Sequence, residues 1–122
     1  MKKILFIIAL SVIFFSTIQG FSQSKKKPLT RILFIFDCSN SMNAKWERGR
    51  SKVDIAREIM SQLLDSLKNI PDLELALRMY GHQSPVPPQD CDDTKLEVPF
   101  GKNNVSLIRE KLMNTVPKGT TP

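Results

Sequence analysis

The sequence predicts an α/β fold, and three patterns along the chain carry that prediction. An unbroken apolar run covers 32–36, which is typical of a strand buried on both faces. Apolar residues then recur at helical spacing over 53–67, and over 73–80 they alternate with mostly polar residues in the two-residue period of a strand. A strand, a helix and a second strand in this order favour a parallel βαβ unit.

The first 22 residues are predicted to be a secretory signal peptide. Two lysines precede an apolar stretch over 4–15, and the small residues Gly20 and Ser22 offer a cleavage point. The stretch is short for a bilayer span, so we expect no membrane span, and an uncleaved N-terminal anchor is the alternative. The prediction is an exported protein, periplasmic or at the cell surface or extracellular, in which 23–30 form a basic leader.

The helix over 53–67 has recognisable ends. Ser51 stands three residues before Asp54, an arrangement that resembles a capping box. Pro71 follows the last apolar positions and cannot continue a helix. The sequence therefore predicts an amphipathic helix of about five turns between Ser51 and Pro71.

The second half of the chain predicts a short strand and a second helix. After a loop rich in proline and aspartate, 96–98 reads as a strand, and Pro99 is tolerated if that strand lies at a sheet edge. Asn103 or Asn104 can cap a helix whose apolar stripe runs over 105–113. The predicted order is strand, helix, strand, short strand, helix.

Charge and cysteine content exclude some functions. The chain carries a formal net charge of +6 over 122 residues, but its basic residues are not interleaved with aromatic residues on one face, so no nucleic-acid partner is expected. Cys38 and Cys91 would meet an oxidising compartment after export. A disulfide between them is one possibility that spacing alone does not establish, and free buried thiols are the alternative.

The loop before the short strand carries the single histidine, His82, and three aspartates, Asp90, Asp92 and Asp93. A lone histidine after a strand is usually a hydrogen-bonded loop residue, and no nucleophile–histidine pair can be built around it. The aspartates lack the glycine and the distal glutamate of a calcium loop. We therefore expect a solvated acidic loop.

The candidate site follows the first predicted strand. Asp37, Ser39 and Ser41 form a D-x-S-x-S pattern at its carboxyl end, where ligands bind in open α/β sheets. Carboxylate and hydroxyl oxygens suit a hard cation such as Mg²⁺. One carboxylate leaves such a cation under-neutralised, so that it can accept an anionic ligand from outside. The alternative is an ordinary turn, since Asp and Ser are common in turns.

This segment resembles the metal-ion-dependent adhesion site of the von Willebrand factor A (VWA) family, in which D-x-S-x-S is followed later by a Thr and then an Asp. Thr121, which directly precedes Pro122, best matches the Thr, with Thr120 as the alternative. The final Asp has no counterpart in the chain. Asn40 replaces the glycine that is usual between the two serines, and Asn tolerates the left-handed backbone that such turns use.

The resemblance implies a Rossmann-like doubly wound sheet of the VWA type, with 31–122 as the N-terminal part of the domain, truncated after the second helix. In that family the first strand is central, so a chain that lacks the following strand would expose 32–36 at an apolar edge. We therefore expect these residues to be part of a longer protein or the product of a shortened gene.

The function that the resemblance implies is secreted, metal-dependent protein binding without catalysis. A divalent cation, Mg²⁺ or else Mn²⁺ or Ca²⁺, would bind an acidic residue of a partner protein. The residues that would hold this cation are Asp37, Ser39, Ser41 and Thr121. Trp46 and Arg48, with Arg50, could form a binding rim, and a Trp that lies over the surface is the alternative.

Two other functional interpretations are open. In a haloacid-dehalogenase-type phosphotransferase Asp37 would be the nucleophile, although Ser39 stands where that class has the general acid. The chain could also be a non-functional truncated fragment that keeps the family pattern without completing the site.

Overall fold

The computed structural model describes residues 27–122, so the predicted signal peptide and the first half of the basic leader lie outside the described residues. The elements are β1 (Thr30–Asp37), α1 (Lys52–Leu67), β2 (Leu73–Tyr80), β3 (Thr94–Gly101) and α2 (Val105–Asn114), with short 3₁₀ turns at Asn40–Asn43 and Glu47–Gly49. The sheet order is β1-β2-β3. β1 and β2 are parallel, and β2 and β3 are antiparallel. The α/β class and the predicted element order are confirmed.

β3 is longer than the predicted strand over 96–98, because Pro99 lies inside it rather than ending it. The ladder with β2 pairs Leu77 with Val98 but Leu75 with Gly101, so β3 carries an extra residue there. A bulge on an edge strand accepts a proline, since no ladder hydrogen bond is required from it. Within residues 27–122 β3 is an outer strand of the sheet, as predicted from Pro99.

Side chains of the strands and of the two helices meet on one face of the sheet. Alternate residues of β1 lie in register with the buried alternate residues of β2, in the pairs Ile32 with Leu75, Phe34 with Leu77 and Phe36 with Met79. The helices close this face with the buried side chains Val53, Leu64, Val105, Ile108 and Leu112. Both helices therefore pack on the same side of the sheet.

The prediction that β1 is buried on both faces is wrong for the described structure. Leu33 is 41% exposed and Ile35 is 64% exposed, because within residues 27–122 β1 is an outer strand and neither helix covers its second face. Helices on both faces, as in a doubly wound sheet, are accordingly not seen in this part of the chain. The architecture is a two-layer α/β unit with a mixed three-stranded sheet.

α1 begins as predicted and is tied to α2. The Ser51 hydroxyl accepts a hydrogen bond from the backbone N–H of Asp54, which satisfies one of the free donors of the first turn. The Arg57 guanidinium donates to the carbonyls of Leu112, at 2.8 Å, and Thr115, at the end of α2. A positive charge there complements the helix dipole. Within residues 27–122 neither helix has the length and apolarity needed to cross a bilayer.

α2 begins differently from the prediction. Asn104 occupies the N-cap position, but its side chain makes no capping hydrogen bond. It donates instead to the carbonyls of Leu75 and Pro99, both at 2.8 Å. Asn103 has a φ of 62° and lies in the left-handed turn before the helix. The amide of Asn104 therefore joins the helix to the bulged part of the sheet.

Candidate metal centre

Asp37, Ser39 and Ser41 lie in one tight turn at the carboxyl end of β1. The Asp37 Oδ1 atom accepts a hydrogen bond of 2.7 Å from the backbone N–H of Ser39. The Ser39 and Ser41 Oγ atoms are 3.0 Å apart. Ser39 is buried and Ser41 is exposed, so the pair reaches from the interior to the surface. The structure thus brings three of the four predicted ligands together.

The hydroxyl geometry is compatible with a small divalent cation. The Ser39 and Ser41 Oγ atoms are hydrogen-bonded to each other at 3.0 Å, and neighbouring oxygens in an octahedral Mg²⁺ shell, with ligands at about 2.1 Å, are also about 3.0 Å apart. Among residues 27–122 no three His, Cys, Asp or Glu side chains converge on one point. A cation at this turn would therefore depend on hydroxyl ligands and on Asp37 as its carboxylate.

The C-terminal segment runs beside this turn. The backbone N–H of Asn40 donates to the carbonyl of Gly119 at 2.8 Å. The backbone N–H of Lys118 donates to the carbonyl of Cys38 at 3.3 Å. Ser39 and Gly119 form a parallel bridge. The Thr120 hydroxyl donates to the carbonyl of Asp90 at 3.0 Å. Thr121 is the next residue and is exposed, so its hydroxyl lies on the segment that flanks the turn.

Gly81 allows this close approach. Its φ is +71°, a conformation that glycine adopts readily, and a Cβ atom there would lie 2.6 Å from the Cα atom of Ser39 and 2.9 Å from the carbonyl oxygen of Thr120. The Gly81 carbonyl also accepts a hydrogen bond of 2.9 Å from the N–H of Gly119. A side chain at position 81 would separate the two segments of the candidate site.

Asp93 is a site-supporting residue that the sequence analysis misjudged. The predicted solvated acidic loop is wrong for this residue, which is 1% exposed. Its carboxylate accepts hydrogen bonds from the backbone N–H groups of Gln83 and Ser84 at 3.0 to 3.1 Å. A Cβ atom at Gly119 would overlap with Asp93 Oδ2. The carboxylate therefore holds the 82–84 loop against the segment that flanks the turn.

The environment of Asp93 keeps it ionised. Burial acts to raise the pKa of its carboxyl group, but hydrogen bonds from the backbone of Ser84 and Gln83 and from the Gln83 side chain outweigh burial and lower the pKa. Asp90 and Asp92 remain at or near the surface, as predicted.

His82 is a hydrogen-bonded loop residue, as predicted. Its Nε2 atom lies 3.0 Å from Glu97 Oε1, and its side chain is 7% exposed. Burial acts to raise the pKa of Glu97, but the hydrogen bonds from His82 and Lys95 and the positive charges of Lys95 and Lys111 lower it to about 2. This cluster fastens β3 and α2 to the loop that Asp93 organises.

Tyr80 lies beside the candidate site, although the sequence was not used to predict it there. It lies in register with Asp37 across the parallel strands, which places both side chains on one face at the carboxyl ends of β1 and β2. Burial, and then the negative charge of Asp37, raise the pKa of Tyr80. The signal was available, because the last residues of neighbouring parallel strands lie side by side.

The cysteines are not bridged. Cys38 is buried and Cys91 is exposed, and both are free, so the free-thiol alternative holds but the prediction of two buried thiols is wrong for Cys91. Burial raises the pKa of the Cys38 thiol to about 11, with Asp37 and Asp93 adding to the rise and Arg57 opposing it. The Cys38 thiol is consequently held protonated at neutral pH.

The predicted rim residues are accessible. Trp46 is 71% exposed, and the Lys52 ammonium lies 5.9 Å from the centre of its ring. The Arg48 side chain is 88% exposed, with its Nε atom 4.0 Å from Glu47 Oε1. Arg50 pairs with Glu58 on α1. Trp46, Arg48 and Arg50 all belong to the loop that follows the Ser41 turn.

No protein-family profile matches the chain, and no curated protein matches it. Several solved structures resemble it. An uncharacterized membrane-spanning protein from Vibrio fischeri is 21% identical with a TM-score of 0.52, over 71% of this chain and 38% of that one. A mutant of the PilB minor pilin from Streptococcus sanguinis is 21% identical with a TM-score of 0.59, over 80% of this chain and 24% of that one.

At such identities these similarities describe the fold alone. They agree with the α/β architecture and carry no information about ligands. The chain spans 38% and 24% of the lengths of these two proteins.

Proposed function

We propose that this chain is a metal-dependent protein-binding module of the VWA type. A divalent cation, Mg²⁺ or else Mn²⁺ or Ca²⁺, is held at the turn after β1 and binds a carboxylate of a partner protein; its ligands are Asp37, Ser39, Ser41 and Thr121. The observation that carries the proposal is the 3.0 Å separation of the two serine Oγ atoms in a turn anchored by Asp37.

Each ligand has a distinct task in this proposal. Asp37 fixes the turn through the Ser39 N–H, and its carboxylate ligates the cation directly or through a water molecule. Ser39 is held in place by burial, and the exposed Ser41 places its hydroxyl against the hydroxyl of Ser39. The bound cation supplies the positive charge that attracts the incoming carboxylate. Without it, Asp37 repels the same carboxylate, so binding requires metal.

The chemistry of the surrounding residues supports binding rather than catalysis. The Cys38 thiol is buried and its pKa is raised to about 11, so it is a poor nucleophile. His82 is hydrogen-bonded to Glu97. Within residues 27–122 it makes no hydrogen bond to a serine or cysteine side chain. Neither Cys38 nor His82 therefore forms the nucleophile–base pair that covalent catalysis requires.

The remaining parts of the proposal concern export and the full fold. The pattern over 1–22 supports secretion to the periplasm, cell surface or extracellular space. The apolar side chains of Leu33 and Ile35 on the open face of β1 support a sheet that is covered on both sides in the complete VWA-type domain. These residues would then be interior, as in other parallel sheets.

Calorimetric titration of Mg²⁺, Mn²⁺ and Ca²⁺ into protein expressed from the full 122-residue sequence tests this function. Ser41 is exposed, so Ser41→Ala should leave the fold intact while weakening metal binding by at least about tenfold, the loss of one hydroxyl ligand. The matched control is Ser66→Ala, because Ser66 is an exposed serine on α1 whose hydroxyl bonds only to the carbonyls of its own helix.

Equal metal binding in Ser41→Ala and Ser66→Ala would contradict the proposal. Absence of saturable binding in the unsubstituted protein would favour the non-functional fragment. Hydrolysis of p-nitrophenyl phosphate that disappears in Asp37→Asn would favour the phosphotransferase instead.

A further inference from the structure

An apolar groove of about 300 Å³ lies beside the metal turn, which is the candidate site formed by residues 37–41. Its apolar lining is formed by Met42, Trp46, Ile55, Ala56 and Ile59. Trp46 is 71% exposed and Ile59 is 61% exposed, so the groove is open to solvent. A space of this size accommodates one large aliphatic or aromatic side chain.

The groove is built as a continuation of the turn. Met42 directly follows Ser41 and packs against the core. The loop that forms the other wall is held by backbone hydrogen bonds, from Trp46 to the carbonyl of Arg50 at 2.8 Å and from Lys52 to the carbonyl of Ala44 at 3.0 Å. A ligand group at the turn is therefore one residue away from the start of the groove.

The charges around the groove favour an acidic occupant. Within residues 27–122 Lys52, which lines the groove, has no carboxylate within ion-pair distance. The Lys52 ammonium lies over the Trp46 ring instead. The acidic side chain of the lining, Glu47, has Arg48 beside it. The Lys52 ammonium thus borders an apolar floor, which complements a ligand that combines negative charge with an apolar side chain.

We propose that this groove binds an apolar side chain from the same partner segment whose carboxylate reaches the metal turn. The proposal rests on the proposed function and adds the partner's chemistry. The partner is a protein segment in which Asp or Glu is followed or preceded by Leu, Ile or Phe within about three residues, roughly 10 Å of extended chain. The carboxylate gives metal dependence, and the apolar side chain gives selectivity among acidic segments.

The probes are capped heptapeptides with one aspartate and, one, two or three residues away on either side, one leucine in a glycine–serine background. Trp46 is the single tryptophan of the chain, so its fluorescence reports occupancy of the groove directly. In Mg²⁺, at least one spacing should bind at least about tenfold more tightly than its Leu→Gly version, because a buried leucine contributes that much to affinity. Equal affinity at every spacing would overturn the proposal.

Substitutions locate the effect on the protein. Ile59→Ser should abolish the preference for leucine, whereas Leu107→Ser, an equally apolar-to-polar change at a 42% exposed position of α2, should not. Retention of the preference in Ile59→Ser would place the leucine elsewhere and overturn the proposal. Self-association in sedimentation velocity that Ile59→Ser removes would assign the groove to a second copy of the chain, which also overturns it.

Failure of the groove and failure of the metal site give different results. If Mg²⁺ and the peptide aspartate matter but the leucine does not, the groove proposal fails and the proposed function stands. If EDTA changes nothing and Asp→Asn peptides bind equally well, the proposed function fails. The leucine preference and its loss in Ile59→Ser, measured in EDTA, then still decide whether the groove binds apolar side chains.

Discussion

Gly81 lies where the turn after β1 and the segment 118–120 meet, and its substitution separates two physical effects. Gly81→Ala adds a Cβ atom 2.6 Å from the Cα atom of Ser39 at a φ of +71°. Gly49 has a similar φ of +76°, but a Cβ atom there would have no neighbouring atom within 4 Å. Gly49→Ala should therefore lower the free energy of unfolding by about 1 kcal/mol, the conformational contribution alone.

Gly81→Ala should lower the free energy of unfolding by about 2 to 4 kcal/mol, because backbone must move as well. Urea denaturation of both variants measures the difference. Mg²⁺ affinity should fall in Gly81→Ala and remain unchanged in Gly49→Ala. Equal stability of the two variants would show that the segments do not approach as closely as the distance to Ser39 requires.

The depressed pKa of Glu97 makes stability depend on pH in acid. The pKa is about 2 in the folded protein and 4.5 ordinarily, so the unfolded chain takes up the proton first as the pH falls. The stabilisation is full above pH 4.5 and is lost between pH 4.5 and pH 2. Its size should be about 1 to 2 kcal/mol, after allowance for solvent screening of the half-exposed Lys95.

Glu97→Gln removes the titrating group and leaves the side-chain volume nearly unchanged. The pH dependence of its free energy of unfolding between pH 4.5 and pH 2 should be weaker than that of the unsubstituted protein. Asp93 and Asp54 also have lowered pKa values, so some dependence will remain. An unchanged slope would show that Glu97 does not make the contacts with His82 and Lys95.

At the scale of elements, Arg57 connects α1 to the end of α2. Its side chain is 16% exposed and donates to the carbonyls of Leu112 and Thr115. Arg57→Met keeps the aliphatic stem but leaves these carbonyls without their charged donor, which should lower the free energy of unfolding by about 2 to 3 kcal/mol. Thermal and urea denaturation measure the change.

Arg50→Met is the matched control for Arg57→Met. Arg50 pairs with Glu58 at a position where both side chains are about half exposed, and such surface pairs contribute at most about 1 kcal/mol. A loss in Arg57→Met no larger than that in Arg50→Met would contradict the role of Arg57 in joining the helices.

Elements whose limits are set by local chemistry could be predicted from the sequence. α1 lies between the Ser51 cap and Pro71 because both signals act within a few residues. The sequence predicts β3 too short, because Pro99 reads as a terminator unless the bulge opposite β2 is known. The limits of an element depend on neighbours in space wherever a bulge or a sheet edge is involved.

The same distinction applies to the candidate site. The D-x-S-x-S turn is contiguous in sequence, so Asp37, Ser39 and Ser41 could be brought together by reasoning about one loop. Asp93 could not, because its burial results from backbone donors at 83 and 84, ten and nine residues away. A pattern of three aspartates does not indicate which one turns inward.

At the scale of the molecule, the open face of the sheet predicts association. Leu33 and Ile35 project from β1 on the side away from the helices, and Leu96 of β3 is 40% exposed in the row that contains Ile35 and Arg78. Exposed apolar side chains on an outer strand favour contact with other chains. Ile35→Lys should increase the monomer fraction in sedimentation velocity while changing the free energy of unfolding by less than about 0.5 kcal/mol.

The control for this prediction is Ile108→Lys, because Ile108 is fully buried on α2. A lysine there should prevent stable folding, since an unpaired charge would lie in the core. If Ile35→Lys destabilises the protein nearly as much, the second face of β1 is covered in solution and the sheet has a further layer. If it dissociates oligomers without destabilising them, this face is an association surface, and the covering layer comes from another chain.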